Sequence, residues 1–431
     1  MPYLSPYLAP CFSYIDQRLS IDNQIIENIT DKQDTTPYYI YSATQIRANI
    51  SALQSALNTV MTSSDYTICY ACKALNNIAV MALIAQTGCG ADIVSSGELT
   101  RAQKASVAAD KIVFSGVGKA ESEIAHALKA NIRQINVESE GELLLIESVA
   151  ASLNIQAPVV FRLNPDVKAG AHEKISTGQK ENKFGLNAET ILRLYEYAAN
   201  SASLNPRGIS LHIGSQLIDM NPFDTAYAIA AKFIGLLREA GHAPDTIDLG
   251  GGIGIIYEHE TQPDLAHYAQ IVQKHIVPLG LHMIFEPGRM IVGNAGLLVT
   301  KILYIKDAEQ KRFVIIDAGM NDLMRPALYD SPHPILPITH PQDSDDVTAF
   351  DVVGPVCESA DVFGKNIMLP ASIKAGEYLA LSGAGAYGAT MSSNYNARDL
   401  AAEILVDGDK CQLIRRAIGI DDYLKFENLA E

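Results

Sequence analysis

From residue 66 onward, short apolar runs alternate with amphipathic stretches in a nearly unbroken series. YTICYACK reads as a strand and NNIAVMALIAQTG as a helix ending at Gly88. ADIVSS leads to a helix opening at GELTRAQKA, KIVFSG to ESEIAHALKAN, and QINVES to GELLLIESVAASL. PVVFRLN is followed, after a long loop, by NAETILRLYEYAAN; ISLHIGS by DTAYAIAAKFIGLLREAG; and TIDLGGG by DLAHYAQIVQKHIV, with MIFEPG closing the series. Short strands that are apolar throughout belong to a parallel sheet buried on both faces. Eight of them separated by helices predict a closed, TIM-like β/α barrel over residues 45–285, with an open doubly wound sheet as the alternative.

Beyond residue 295 the helical pattern stops. LLVTKILYIK, RFVIIDAG, TAFDVVGP, EYLALSGAG, AEILVDGD and CQLIRR all read as strands, which makes residues 286–431 a mainly β domain. The early strand YYIYS (residues 38–42) precedes the barrel and is expected to join that domain, together with the rest of residues 1–44. The polar, acidic stretch HPQDSDDVTAF reads as an exposed loop.

Composition narrows the function. The chain has 431 residues, too many for one small core, which agrees with two domains. A net charge of -16 leaves no excess of Lys and Arg for phosphates, which argues against a nucleic-acid binder. No run of apolar residues is long enough for a membrane span. The N-terminal MPYLSPYLAPCFSYID lacks the basic region and apolar stretch of a signal peptide. Six scattered cysteines fit a reducing cytoplasm better than a disulfide framework. Cys69 and Cys72 form a CxxC, but residues three apart in a strand point to opposite faces, so a buried, structural pair is the plainer reading.

In a barrel, chemistry collects where strands end on the C-terminal face. Lys73, Asp92, Ser115, His212, Gly250 to Gly252 and Glu286 all stand at or just past strand ends. Lys73 ends an apolar strand; desolvation there disfavours the ammonium and frees the amine for Schiff-base chemistry with an aldehyde. A lysine snorkelling at a strand end is the alternative. The glycines of DLGGGIG could let backbone N–H groups approach a phosphate, although they fit neither GxGxxG nor a P-loop. EPGR alone reads more readily as a surface turn with an ion pair. His212 alone reads as a satisfied core histidine, and Ser215 three residues on could donate to a phosphate oxygen.

Taken in order, YACKALNN, GADIVSSGEL, HIGSQ, DLGGGIG, EPGR, GPVCESAD and GAYG resemble the alanine-racemase-like, fold type III pyridoxal-phosphate decarboxylases over nearly the whole chain, from about residue 38 to about residue 420. That resemblance implies pyridoxal 5'-phosphate carried on Lys73, with Glu286 beside the pyridine nitrogen and His212 stacked on the ring. It also implies Ser215, Gly251, Gly252, Arg289 and Tyr387 as phosphate holders, and Asp92 close to Lys73. MNDLMRPALYD (residues 320–330) resembles the corresponding segment of diaminopimelate decarboxylases, as does HEKISTGQKENKFGL (residues 172–186), a long polar stretch expected to act as a lid.

The resemblance therefore implies decarboxylation of meso-2,6-diaminopimelate to L-lysine, with Arg289, Arg325, Tyr329, Glu358 and Tyr387 contacting the substrate. Arginines suit its distal carboxylate, since a guanidinium clamps a carboxylate and repels a bare cation. Cys357 is expected to reprotonate the reacting carbon. Cys357 and Glu358 would come from the second subunit of a homodimer. Cys72 and Leu75 depart from the residues usual in the family at those positions. The rival readings are a decarboxylase of carboxynorspermidine or a basic amino acid, a racemase, and an inactive member that only binds the cofactor.

Overall fold

The computed structural model describes residues 8–31, 35–167, 184–342 and 344–430. Most of the expected lid, residues 172–183, lies outside them. The chain forms two compact units, one of Asn49–Ile255 with Thr261–Met290, the other of Met1–Ala48 with Ile256–Glu260 and Ile291–Glu431.

The first unit is the closed parallel barrel read from the sequence. Its strands are Tyr66–Ala71, Gly90–Ile93, Ile112–Phe114, Gln134–Val137, Ala157–Arg162, Leu204–Ser210, Thr246–Asp248 and His282–Phe285. Each pairs with its neighbours in the chain, and the eighth closes on the first through Met283–Tyr66, Ile284–Thr67 and Phe285–Ile68. The helices begin where polar caps occur. Asn77, Ser95, Ser139, Asn187 and Asp264 each accept a backbone N–H in the first turn of the helix that follows.

One boundary differs from the expectation. The first strand stops at Ala71, and Cys72–Ala74 is a 3-10 turn rather than strand. Both cysteines of the CxxC are buried, and their thiols serve different carbonyls, Cys69 that of Lys111 and Cys72 that of Tyr70.

The second unit is mainly β. Its sheet runs Val362–Pro370, Val347–Val353, Arg312–Ile316, Gly296–Asp307, Tyr38–Ser42, Ala402–Asp407 and Lys410–Arg415, with Tyr378–Leu381 also paired to Gly296–Asp307. YYIYS is thus taken up by the β unit, antiparallel to Gly296–Val299 and parallel to Ala402–Val406. Phe12, Leu19, Ile21 and Ile26 pack with Tyr38, Ile40, Leu297, Val299, Ile404 and Val406 in one core. Several elements were not foreseen: the strand VFGKNIMLP, which pairs with Val347–Val353; the strand Ile335–Pro337; the helix Ala43–Leu57; and a small separate sheet of Phe12–Ile15, Arg18–Ile21 and Gln24–Ile25. Residues 347–350 of the stretch read as an exposed loop belong to the strand Val347–Val353.

Candidate active site

Three backbone hydrogen bonds stitch the C-terminal ends of the barrel strands together. Ala71 N donates to Pro287 O (3.1 Å), which sets the Lys73 turn against the EPGR turn. Glu286 N donates to Gly250 O (2.8 Å), and Leu211 N to Asp248 O (2.8 Å), so the glycine turn lies between EPGR and the His212 segment. The glycines are required by this closeness. A Cβ on Gly251 would collide with the Glu286 carbonyl, and Gly252 holds φ +115, which side-chain-bearing residues avoid.

Lys73 Nζ lies 3.3 Å from Asp92 Oδ2. Asp92 is fully buried on the second strand, and its Oδ1 receives no hydrogen bond among the described residues. Glu286 Oε1 accepts from Ser115 Oγ and Asn136 Nδ2, both at 3.4 Å. Burial first, then the Asp248 and Asp92 carboxylates, hold the Glu286 carboxyl well above its usual range. His212 is pushed well below its ordinary value by burial and by the Lys73 and Arg162 cations, so its ring is neutral. His212 Nδ1 accepts from Gly251 N (3.4 Å), and Arg289 Nη2 donates to Ser215 Oγ (3.0 Å). The barrel unit therefore brings together Lys73, Asp92, His212, Ser215, Gly251, Gly252, Glu286 and Arg289.

The remaining expected residues lie in the β unit. Arg325 is 4% exposed, donates to Ser331 Oγ (2.7 Å), lies 2.8 Å from His333 Nε2 and stacks on Tyr257 at 4.7 Å. Tyr329 ends the same short helix, Arg325–Tyr329. Cys357 and Glu358 are exposed, with Glu358 Oε1 accepting from Tyr395 OH at 2.7 Å. Tyr387 is half-buried and holds φ +58. Asp361 joins the two motif loops, since its carboxylate accepts from Met320 N and Val356 N, each at 2.7 Å.

Residues 43–293 match the family described as pyridoxal-dependent decarboxylase, pyridoxal binding domain. A diaminopimelate decarboxylase of Neisseria meningitidis serogroup B is 46% identical over 381 residues, 88% of this chain and 90% of that one. One from Helicobacter pylori is 44% identical over 392 residues, 91% and 95% of the two chains. The chain belongs to this decarboxylase family. A crystal structure of diaminopimelate decarboxylase from M. jannaschii in co-complex with L-lysine superposes with a TM-score of 0.92 at 36% identity, covering 98% of each chain.

For a family that works through pyridoxal, the barrel residues are the right kinds. They offer an amine, buried acids, a close-packed glycine turn and an Arg–Ser pair. The sequence reading missed the groups behind them. Asp248, fully buried on the seventh strand, accepts from Gln134 Nε2, Asn136 Nδ2 and Gly250 N, each at 3.1 Å. Arg162 pairs with Glu138 at 2.6 Å, and Glu138 also accepts Gly185 N at 2.8 Å. The available signal was polar residues inside apolar strands: Gln134 and Asn136 in QIN, Thr246 and Asp248 in TID, and Arg162 in FR stand where a fully buried strand has no use for them.

Proposed function

We propose that this protein decarboxylates meso-2,6-diaminopimelate to L-lysine and carbon dioxide, using pyridoxal 5'-phosphate. The observation that carries the reading is the grouping of Lys73, Glu286 and the Ser215–Arg289 pair around the Gly250–Gly252 turn, in a chain 46% identical to a diaminopimelate decarboxylase. Lys73 would hold the cofactor covalently through Nζ. Ser215, Gly251, Gly252, Arg289 and Tyr387 would hold its phosphate, and Glu286 its ring nitrogen. When bound, the pyridoxal ring supplies an electron sink for the pair left behind as carbon dioxide departs.

The protein's own groups select which bond breaks. His212, uncharged, presents an aromatic surface that does not compete with Lys73 for negative charge. Arg289, Arg325, Tyr329, Glu358 and Tyr387 would fix the distal end of the substrate, so that binding energy far from the reacting carbon orients one carboxylate for loss. Arg325 suits this task because Ser331, His333 and Tyr257 fix its rotamer before substrate arrives. Cys357 Sγ would return a proton to the carbon that lost carbon dioxide. In this reading Cys357 and Glu358 serve the partner's site in a cytoplasmic homodimer. No helix among the described residues is long and apolar enough to cross a membrane.

The test is release of carbon dioxide and lysine from meso-diaminopimelate with added pyridoxal phosphate, beside ornithine, lysine, arginine and carboxynorspermidine. Turnover of diaminopimelate alone is expected. Turnover of a substrate without a distal carboxylate would overturn the role given to Arg325.

A further inference from the structure

Behind Lys73 the barrel buries more negative charge than it can hold. Asp92, Asp248 and Glu286 are all buried; Lys73 lies against Asp92 and acts on Glu286, while Asp248 meets Glu286 and Asp92. The other cations nearby are engaged, Arg162 with Glu138 and Arg289 with Ser215, while His212 is neutral and Cys69 is a buried thiol pushed up by desolvation. Three carboxylates around one ammonium in a water-poor interior are not sustainable, and the least costly relief is one proton on one of them.

Hydrogen bonding says which. Asp92 has the ammonium at 3.3 Å. Both oxygens of Asp248 are occupied by N–H groups, which only donate: Oδ1 by Gly250 N, and Oδ2 by Gln134 and Asn136. A proton on Asp248 would face a donor on either side. Glu286 differs, because its contacts fall on Oε1 alone, both long at 3.4 Å, and among the described residues nothing donates to Oε2. Asn136 Nδ2 reaches both Glu286 and Asp248, and the Asp248 charge held that close is one of the causes that raise the Glu286 carboxyl.

We propose that Asp248 is a positioning residue whose carboxylate keeps one proton on Glu286 Oε2, ready for the ring nitrogen of the pyridoxal group. On binding, the Glu286 O–H bond breaks and a ring N–H bond forms. Glu286 becomes the carboxylate beside the new cation, and Asp248 stays charged throughout. The second half of this inference rests on the cofactor reading above; the location of the proton before binding does not. Asn136 Nδ2, which reaches both carboxyl groups, sets their spacing.

The experiment is infrared difference spectroscopy of the full-length protein before and after saturation with pyridoxal 5'-phosphate, with E286Q and D248N alongside. Near neutral pH the unsaturated protein should show a protonated-carboxyl band that E286Q deletes and saturation removes. In D248N that band should titrate away at a pH lower by about one unit or more, and Asp248→Glu should move it back. Glu98 and Asp322, both pushed up to about 7 by burial, contribute absorption that E286Q leaves in place; protonated-carboxyl absorption that is the same in E286Q as in the wild type overturns the proposal. The wild type and E286Q decide this even if D248N does not fold. If the band behaves as expected while diaminopimelate is not turned over, the substrate reading fails and the proton assignment stands. If it persists after saturation, delivery to the ring fails.

Discussion

Two lysines in the barrel unit face buried carboxylates and lead opposite lives. Lys119 is sealed, with a side chain 1% exposed and three acceptors in reach: Glu142 Oε1 and Gly116 O at 2.6 Å and Asn136 O at 2.8 Å. An ammonium has three donors, so this site is complete. Lys73 is 37% exposed and sits 3.3 Å from an Asp92 whose second oxygen receives no hydrogen bond among the described residues. A charge pair that is fully satisfied fixes structure. Lys73, with more than a third of its side chain exposed, is open to a reacting partner.

The neighbouring caps repeat the contrast. SSGEL and SEGEL each open a helix with a serine cap followed three residues on by a buried glutamate, Glu98 or Glu142, that reaches back to a backbone N–H. Glu142 meets Lys119. Glu98 has no cation in ion-pair distance among the described residues, and burial pushes it up to about 7.

The sharpest way to break the comparison is to exchange the fates of the two lysines. Lys73→Ala should cut turnover by roughly 10⁴-fold or more while costing less in unfolding than Lys119→Met, because Lys73 is the more exposed and more distant partner. A large drop in Tm would mean that Lys73 is structural after all. Lys119→Met should do the reverse, costing about 3–5 kcal/mol in denaturant unfolding because Glu142 is left buried and unpaired.

Glu98→Gln sharpens the cap comparison through pH. A carboxyl ionising near 4.5 when unfolded and about 7 when folded binds its proton more tightly in the native state. Wild-type stability is therefore lost as pH rises through that window, and the amide escapes the loss. The variant should gain on the wild type between about pH 5 and pH 8, by about 3 kcal/mol in all. A pH-independent difference would contradict the cause given for the shift. Smallest is Arg325→Ala, expected to raise KM roughly 10- to 100-fold with cofactor absorbance intact. Unchanged kinetics would remove Arg325 from the substrate clamp.

Much of this was legible in the chain. The eight apolar strands announced the barrel because a strand buried on both faces can carry no alternation; the caps at Asn77, Ser95 and Ser139 went unread. The strand VFGKNIMLP was not legible, because Gly364, Lys365 and Asn366 interrupt its apolar run at a register shift in the ladder. Lys73, Glu286 and the glycine turn showed through as strand-end residues. Asp248 and Asn136 did not, since a lone polar residue in a core strand gains meaning only once the barrel closes and sets partners from the third, fourth, seventh and eighth strands on one another. Arg325 was read as reaching for substrate; that Ser331, His333 and Tyr257 hold it rigid needs the fold.

The most direct measurement is borohydride reduction of the protein with pyridoxal phosphate, followed by peptide mass mapping of the modified lysine. This account predicts a single adduct on the peptide bearing Lys73, with none on Lys119. An adduct on any other lysine, or no adduct under conditions in which the protein binds the cofactor, would contradict it.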